Sequence, residues 1–383
     1  MWGRNNRVYL DHASGTKVVP EALRAYRRAV GVFGNPSSPH QEGRDAALLL
    51  ADARRVIARE VEAKPDDIIF TSGATEANNI AITGVVMAAK AKGITPHVLY
   101  LPSAHASLVE PVRALASWGV AVEPLVVSDG AIDLVRLKAQ IRPETVLVVM
   151  ERVCGETGVI WNTRGVRHVL DARIVLHVDA SHAPRIESIE RTRLAGDTIV
   201  FDAQKLGGVR GVGVLIAPRT LPLVSCMHGG GQERGIRPGT ENVAAIAACA
   251  AAFVVARKQR VAFARRAATQ RDHVRAALSL LSEAGENTGK EQAPHILNMS
   301  LVGRDTDYLV ALLDARGFAV STKSACETDS GEGSRAVQVL SGDIARTAST
   351  LRVSFGYETT MRDARRFVRA CTKAVAFLDA HAL

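Results

Sequence analysis

The chain has 383 residues, 47% hydrophobic and 23% charged, with a formal net charge of +9. That length allows a large core and more than one domain, and the charge is spread rather than blocked: arginine pairs such as Arg27–Arg28, Arg54–Arg55, Arg265–Arg266 and Arg365–Arg366 read as solvated helix faces, so direct nucleic-acid binding is not expected. Five scattered cysteines without a CxxC pair argue against a disulfide framework or a zinc site, and the absence of a membrane-length apolar run or a signal-peptide core points to the cytoplasm.

Residues 7–13 read as a short strand and a leading loop, followed by a helix over about 20–30. The loop GVFGNPSSPHQEG, residues 31–43, carries more polar side chains than a connector needs. Helical spacing of Ala47, Leu50, Ala53, Val56 and Ile57 predicts a helix over 44–61. Strands and helices then alternate. Strands are expected at 68–70, 98–101, 120–127, 145–150, 174–178, 198–201 and 212–216, and helices at 75–90, 107–118, 132–141 and 163–170. This alternation predicts an α/β domain with a mainly parallel sheet, helices on both faces and a ligand at the carboxyl ends of the strands. Beyond Thr240 the texture changes to an alanine-rich helical stretch over 241–284. Strands at 295–301, 319–322 and 350–355, a helix over 305–316, a polar loop over 323–334 and a final helix follow. The expected division is a large α/β unit over 16–245 and a smaller α+β unit made of 1–15 with 246–383.

One stretch, DTIVFDAQKLGGVRGVG at 197–213, sets Lys205 between a short apolar strand and a glycine-rich run. An amine at a strand end is partly desolvated, which favours its neutral, nucleophilic form. A surface lysine on a hairpin fits this stretch equally well. The upstream HVDASH run, 177–182, puts Asp179 at the end of another apolar strand. A lysine for an aldehyde and a strand-end aspartate for a pyridinium nitrogen are the minimal equipment for pyridoxal phosphate.

Other motifs fall at predicted strand ends. FTSGATEANN, 70–79, ends a strand, turns at Gly73 and opens a helix at Ala74 and Thr75; free amides and the helix dipole suit a phosphate there, or a simple N-cap. His105 in LPSAHASL suits stacking on a planar ring or proton transfer. The loop HGGGQERGIRPGTEN, 228–242, allows close approach to a ligand or second subunit, and Arg234, Arg237 and Thr240 argue against a plain linker. In STKSACETDSGEG, 321–333, Cys326 lies among small polar residues beside Lys323, a setting for an exposed, reactive thiolate. Arg352 in LRVSFG carries a planar fork suited to a carboxylate.

Together and in this order these runs, with YLDHAS, FGNPSSPHQEGR, ETGVI, SACE and FGYETT, make the chain resemble the cysteine desulfurases of the NifS/IscS type, within the class V pyridoxal-phosphate enzymes of aminotransferase fold. The resemblance runs from Tyr9 to about Thr360. It implies pyridoxal 5'-phosphate as cofactor, Lys205 as its covalent anchor, Asp179 at the ring nitrogen and His105 over the ring. It implies Ala74 and Thr75 at the phosphate, joined by Thr240 from a partner subunit. Cys326 would take the sulfur, and Arg352 with Asn35 would hold the substrate carboxylate. The implied reaction takes sulfur from L-cysteine, giving L-alanine and a persulfide on Cys326 that passes to an acceptor protein for Fe–S cluster assembly or tRNA thiolation. A homodimer is implied.

The chain departs from the family pattern at several places. Cys154 and Gly155 stand where the family has two asparagines before the Glu156 position, and His182 stands for a glutamine. Asp202 and Gln204 stand for a serine and a histidine, and Thr322, Lys323 and Ser324 for Ser-Gly-Ser. Cys154 and His182 are expected to replace amides near the ring oxygen, with His182 titrating near neutral pH. Asp202 beside a phosphate is repulsive unless protonated or turned away. Rivals are another class V activity, such as a selenocysteine lyase or an aminotransferase, and a non-catalytic sulfur-transfer scaffold. A dinucleotide-binding dehydrogenase is disfavoured because no GxGxxG follows the first strand.

Overall fold

The computed structural model describes residues 7–322 and 333–381. Strand β1 (Val8–Tyr9) leads into α1 (Pro20–Ala29), which opens on a proline, and α2 (Gln41–Glu60). The second helix starts three residues before the expected point because the His40 ring caps it, accepting from the Gly43 N–H. Then come β2 (Ile68–Thr71), α3 (Ala74–Lys90), β3 (His97–Tyr100), α4 (Ala106–Leu115) and β4 (Ala121–Pro124). The hairpin β5 (Val127–Ser128) and β6 (Ala131–Ile132) precedes α5 (Leu134–Gln140), whose start is fixed by the Asp133 carboxylate on the amides of Val135 and Arg136. The series closes with β7 (Thr145–Glu151), α6 (Thr163–Val169), β8 (Val175–Asp179), α7 (Arg191–Leu194), β9 (Thr198–Asp202) and β10 (Gly213–Ile216).

These build a seven-stranded sheet in the order β2-β10-β9-β8-β7-β3-β4. The strands from β9 to β4 run parallel, and β10 is antiparallel to both of its neighbours. The middle strands are buried along their length, as strands covered on both faces must be. One face packs on α1, α2 and the first half of α8 (Val243–Leu278) through residues such as Ile57, Phe201 and Phe253. The other packs on α3, α4 and α6 through Ile82, Leu108 and Val166. Gly213 permits a close approach: a Cβ on it would lie 2.4 Å from the Gly73 carbonyl carbon, so only a glycine lets β10 lie under the β2–α3 turn.

Helix α8 continues for 36 residues, and its second half joins a separate core through Phe263, Val274 and Leu278. That core is completed by β11 (Ala284–Glu286), β12 (Ile296–Leu301), α9 (Thr306–Ala315), β13 (Phe318–Ala319), β14 (Thr350–Ser354) and α12 (Met361–Ala380), with β11-β12-β14 as an antiparallel sheet. Of the short helices between β13 and β14, α10 (Arg335–Ser341) packs Ala336 and Leu340 against the core of the large sheet, and α11 (Ile344–Ala348) follows it. Strand β1 pairs in parallel with β13, and Val8 and Leu10 enter the same core. Arg54 departs from the solvated faces expected of the pairs, and Arg366 is half-buried over the Phe318 ring. Arg54 lies over the Phe70 ring at 4.7 Å and donates to Glu233 and to the Ile68 carbonyl. Among the described residues no helix is long and apolar enough to cross a membrane.

Candidate active site

Three adjacent parallel strands, β7, β8 and β9, each end on an acid: Glu151, Asp179 and Asp202. Glu151 and Asp179 are register partners. Beyond these strand ends lies a cavity of about 220 Å³, and the side chains of Lys205, His105 and Arg352 reach it along with the three acids.

Lys205 follows β9 by one short helical turn, Ala203–Leu206, which Asp202 caps by accepting from the Gln204 N–H at 3.0 Å. Its Nζ donates to the carbonyls of Ala13 at 2.6 Å and Ser14 at 2.8 Å. Burial lowers its pKa; Asp202 opposes that shift, and Arg352 adds to it. The strand-end lysine is thus in the cavity and not on a surface hairpin.

Asp179 is held by a network that begins outside the cavity. The Thr198 hydroxyl faces His177 Nδ1 at 2.8 Å, and His177 Nε2 faces Asn78 Oδ1 at 3.0 Å. The amide oxygen is acceptor-only, so Nε2 carries the ring proton and Nδ1 accepts from Thr198. This fixes the Asn78 amide, whose nitrogen donates to Asp179 Oδ2 at 2.8 Å and to Ser107 Oγ at 2.9 Å. Asp179 Oδ1 accepts from the Ser181 N–H. Burial lowers the His177 pKa to about 4, against the pull of Asp179, so the relay is neutral. Sequence reasoning assigns Asn78 no role of its own within the FTSGATEANN motif. The signal that could have found it is helical spacing: it shares the strand-facing side of α3 with Ala74, Ala77 and Ala81, all buried.

His105 caps α4. Its Nδ1 accepts from the Ser107 N–H at 3.1 Å and faces the Ser107 hydroxyl at 2.8 Å, which leaves the ring proton on Nε2. Burial lowers its pKa, with Asp179 opposing and Lys205, Arg335 and Arg352 adding to the shift. The Arg335 guanidinium, also unassigned from sequence, donates to the Ala104 carbonyl and pairs with Glu110 at the cavity edge.

The β7 wall differs from the expected one. Cys154 is buried, its Sγ accepts from the Thr157 N–H at 3.5 Å, and burial above all holds its pKa well above the ordinary thiol value, which keeps it protonated. Glu151, which the expected strand stopped short of, is buried; its Oε2 accepts from the His105 N–H at 3.3 Å. Its Oε1 has no hydrogen-bond partner among the described residues. Burial and the neighbouring Asp179 push its pKa up to about 8. His182 corrects an expectation. It is buried, and burial with Lys205, His295 and Arg352 holds its pKa well below the ordinary histidine value, so it stays neutral where titration was expected. Its ring takes the space beside Gly155: a Cβ on Gly155 would lie 2.5 Å from His182 Nε2. The glycine and the histidine are therefore one steric unit.

At the other end, α3 opens at Gly73 with no side-chain cap, and Ala74 and Thr75 line the cavity. The Ala74 N–H is not free. Asp202 Oδ2 accepts from it at 3.2 Å, and Gln204 stands beside them in the lining. Arg352, on β14, donates to Asp11 Oδ1 at 2.9 Å, Ser14 Oγ at 2.5 Å and the Gly155 carbonyl at 3.2 Å, so a substrate carboxylate there would compete with Asp11.

Two expected residues that the structure describes are not brought to this cavity. Asn35 is exposed, its Oδ1 accepting from the Ser37 N–H, and Thr240 is exposed outside the lining. Cys326, with Lys323, lies outside the described residues. The arginines of the glycine-rich loop pin it down rather than facing a ligand: Arg237 pairs with Glu76 on α3 at 2.9 Å, and Arg234 donates to the Ala217 carbonyl. Glu233 in the same loop takes the Phe70 N–H at 2.8 Å, with φ of +46°.

Comparison with known proteins agrees with this geometry. The chain is 34% identical over 380 residues to the cysteine desulfurase IscS of Pectobacterium carotovorum subsp. carotovorum (strain PC1), covering 97% of this chain and 93% of that protein. It is 35% identical over 364 residues to the cysteine desulfurase IscS of Vibrio campbellii, covering 92% and 89%. Among solved structures, a NifS-like protein superposes with a TM-score of 0.91 at 26% identity, covering 97% of this chain and all of that one. DndA from Streptomyces lividans superposes with a TM-score of 0.76 at 31% identity, covering 91% and 99%. The family model for aminotransferase class-V matches residues 8–367, and enzymes of that class work with pyridoxal phosphate. With the strand-end lysine and aspartate in one cavity and a family match along almost its whole length, this chain belongs to the class V aminotransferase family.

Proposed function

We propose that this chain is a pyridoxal-phosphate-dependent cysteine desulfurase that moves the sulfur of L-cysteine onto Cys326. The observation that carries this reading is the convergence of the Lys205 amine, the Asp179 carboxylate and the neutral His105 ring on one cavity, in a chain whose relatives bear that name. The residues fit the cofactor at its ring and aldehyde ends. Lys205 is withdrawn from water, which favours the neutral amine, and Asp179 keeps a fixed carboxylate for a ring nitrogen. The orphaned Glu151 Oε1 leaves a polar atom for a ligand to satisfy. Ala74 and Thr75 suit the phosphate, with Asp202 as the discordant neighbour.

Bound here, pyridoxal phosphate supplies an electron sink for carbon–hydrogen and carbon–sulfur cleavage. Lys205 would hold the aldehyde end and, once the substrate amine has displaced it, its free amine would take a proton from the substrate α-carbon and return protons to carbon. Asp179 holds a proton at the ring nitrogen. His105, with its proton on Nε2, is a neutral hydrogen-bond donor beside the substrate. Arg352 would orient the substrate carboxylate, and would release Asp11 in doing so. The Cys326 thiolate attacks the substrate sulfur; the carbon–sulfur bond breaks and a sulfur–sulfur bond forms. A proton then replaces sulfur on carbon, so thiol plus L-cysteine becomes persulfide plus L-alanine without an outside oxidant or reductant. Residues 16–245 would hold the cofactor, and residues 1–15 with 246–383 would carry Cys326.

The persulfide would pass to an acceptor protein of Fe–S assembly or tRNA thiolation. Thr240, exposed on a pinned loop, would reach a partner subunit's cofactor in a homodimer working in the cytoplasm. One observation favours a second reading, a non-catalytic sulfur-transfer scaffold: a carboxylate already occupies the Ala74 amide. The deciding experiment incubates cofactor-loaded protein with L-cysteine, measuring alanine and locating the persulfide by mass spectrometry. Wild type should release alanine and carry sulfur on Cys326, and Cys326→Ser should bind cofactor yet do neither. A persulfide on Cys154, with Cys326→Ser still turning over, would overturn the assignment.

A further inference from the structure

The Asp202 carboxylate holds the site that the cofactor phosphate needs. Helix α3 has glycine at its N-cap and no side-chain cap, so its first amides depend on a partner from elsewhere. That partner is the last residue of β9. Asp202 Oδ2 accepts from the Ala74 N–H at 3.2 Å, while Oδ1 accepts from the Gln204 N–H at 3.0 Å. One carboxylate thus joins the opening of α3 to the turn that carries Lys205. Glu76, the acid of the first turn of α3, is drawn away by the Ser72 N–H and Arg237. A phosphate at this helix end would meet the same amide and the same dipole as Asp202, and two anions cannot share one donor at contact distance.

We propose that Asp202 makes capture of the cofactor phosphate conditional on a proton: the phosphate is accepted when Asp202 is protonated, and the ionised carboxylate excludes it. The proposal rests on the cofactor reading above. Asp202 would then be a specificity-determining residue, setting how strongly this chain prefers a phosphorylated pyridine ligand over its unphosphorylated form. The groups that act on it come from each element around it. Lys205 from the following turn favours its charge, Asp179 from β8 opposes it, and the amides of Ala74 and Gln204 favour it. From α8 the buried Cys249 thiol lies within its field, and burial pushes that thiol's pKa well up, so it adds no charge. Burial is the largest influence on Asp202 itself and raises its pKa.

The test uses cofactor-free full-length protein with two probes that lack an aldehyde and so form no bond to Lys205, pyridoxine 5'-phosphate and pyridoxine. Calorimetry in buffers of different ionisation enthalpy counts the protons taken up on binding. Wild type should take up a proton with pyridoxine 5'-phosphate beyond any taken up with pyridoxine, and should lose affinity for the phosphate ester as pH rises. Asp202→Ser should bind the ester about tenfold or more tightly at about pH 8, without the extra proton. Asp202→Asn keeps an acceptor for the turn and guards against misfolding; it should show the same loss of proton uptake. Pyridoxine should bind all three proteins alike. If both variants bind the ester no more tightly than wild type and with the same proton count, the proposal is overturned while the cofactor reading stands. If wild type and variants bind neither probe, the cofactor reading falls and the proposal with it.

Discussion

Glu151 and Asp179 are register partners on adjacent parallel strands, yet the structure treats the two carboxyl groups oppositely. Asp179 receives a side-chain amide from α3 and a backbone amide from the turn after β8, and the amide is itself oriented through His177 and Thr198. Glu151 receives one backbone amide, and one of its oxygens has no partner among the described residues. A strand end alone therefore does not decide what an acid does. The donors brought to it by helices and turns decide, because each N–H aimed at a carboxylate favours the charged form and burial without such donors favours the neutral one.

The largest expected contrast is in turnover. Asp179→Asn should lower kcat by at least about 100-fold, since it removes the only carboxylate that this network presents to the ring. Glu151→Gln, measured in the same alanine-formation assay, should cost less than about tenfold, because an amide keeps the acceptor for His105 and replaces a group already neutral. Equal losses in the two variants would erase the distinction between the walls.

The next contrast is in stability. Glu151 keeps its proton in the folded chain up to about pH 8, whereas the unfolded chain releases it near the ordinary glutamate value of 4.5. Between those values the folded state binds the extra proton, so its stability falls as pH rises; the contribution is fully present below 4.5 and lost as pH passes 8. Glu151→Gln should flatten that slope and stabilise the cofactor-free protein at about pH 8 by on the order of 1–3 kcal/mol. Urea midpoints at acid and alkaline pH check it. A variant with an unchanged slope would mean that Glu151 ionises in the fold.

The β8 wall was legible in the sequence and the β7 wall was not. Asp179 ends an apolar run and Lys205 follows one, so a strand-end reading finds both. Glu151 also ends a strand, but a charged residue after Met150 reads as the exit from the sheet, and the expected strand stopped before it. Its burial follows from α4 and α10 closing over the strand end, which places His105 and Arg335 there; nothing local encodes that. The same limit explains other misses. The short α10 and α11 owe their places to contacts distant in sequence, such as Arg335 with Glu110 and Ala104. The hairpin at Val127–Ile132 reads in sequence as the end of one strand and the start of a helix, although Asp133 carries a clear cap signal. Asp202 was legible as an oddity, but its bond to the Ala74 amide required the sheet that brings β9 next to β10 and α3.

A smaller effect tests whether the β7 wall is built as a steric unit. Gly155→Ala should cost about 1–3 kcal/mol, since the new methyl group meets the buried His182 ring. Gly155→Ala with His182→Gln should recover a good part of that loss, giving a coupling of about 1 kcal/mol in a double-mutant cycle followed by urea unfolding. Additive losses would show that glycine and histidine occupy their positions independently.

The smallest expected effect is a titration that does not occur. An exposed imidazole exchanging for an amide near a chromophore would ordinarily remove a pH-dependent step near neutrality. His182 is not in that situation. It is buried, and Lys205, His295 and Arg352 each add to the cost of placing a proton on it, so the neutral ring persists through the physiological range. The cavity group whose titration falls near neutral and alkaline pH is instead Glu151, raised to about 8. The visible absorbance of the cofactor-loaded His182→Gln protein should therefore follow the wild-type pH profile, offset in intensity at most. Glu151→Gln should move the same profile. A shift in the histidine variant, with none in the glutamate variant, would assign the neutral-pH proton to the ring beside Gly155 and reverse the roles of the two sides of that wall.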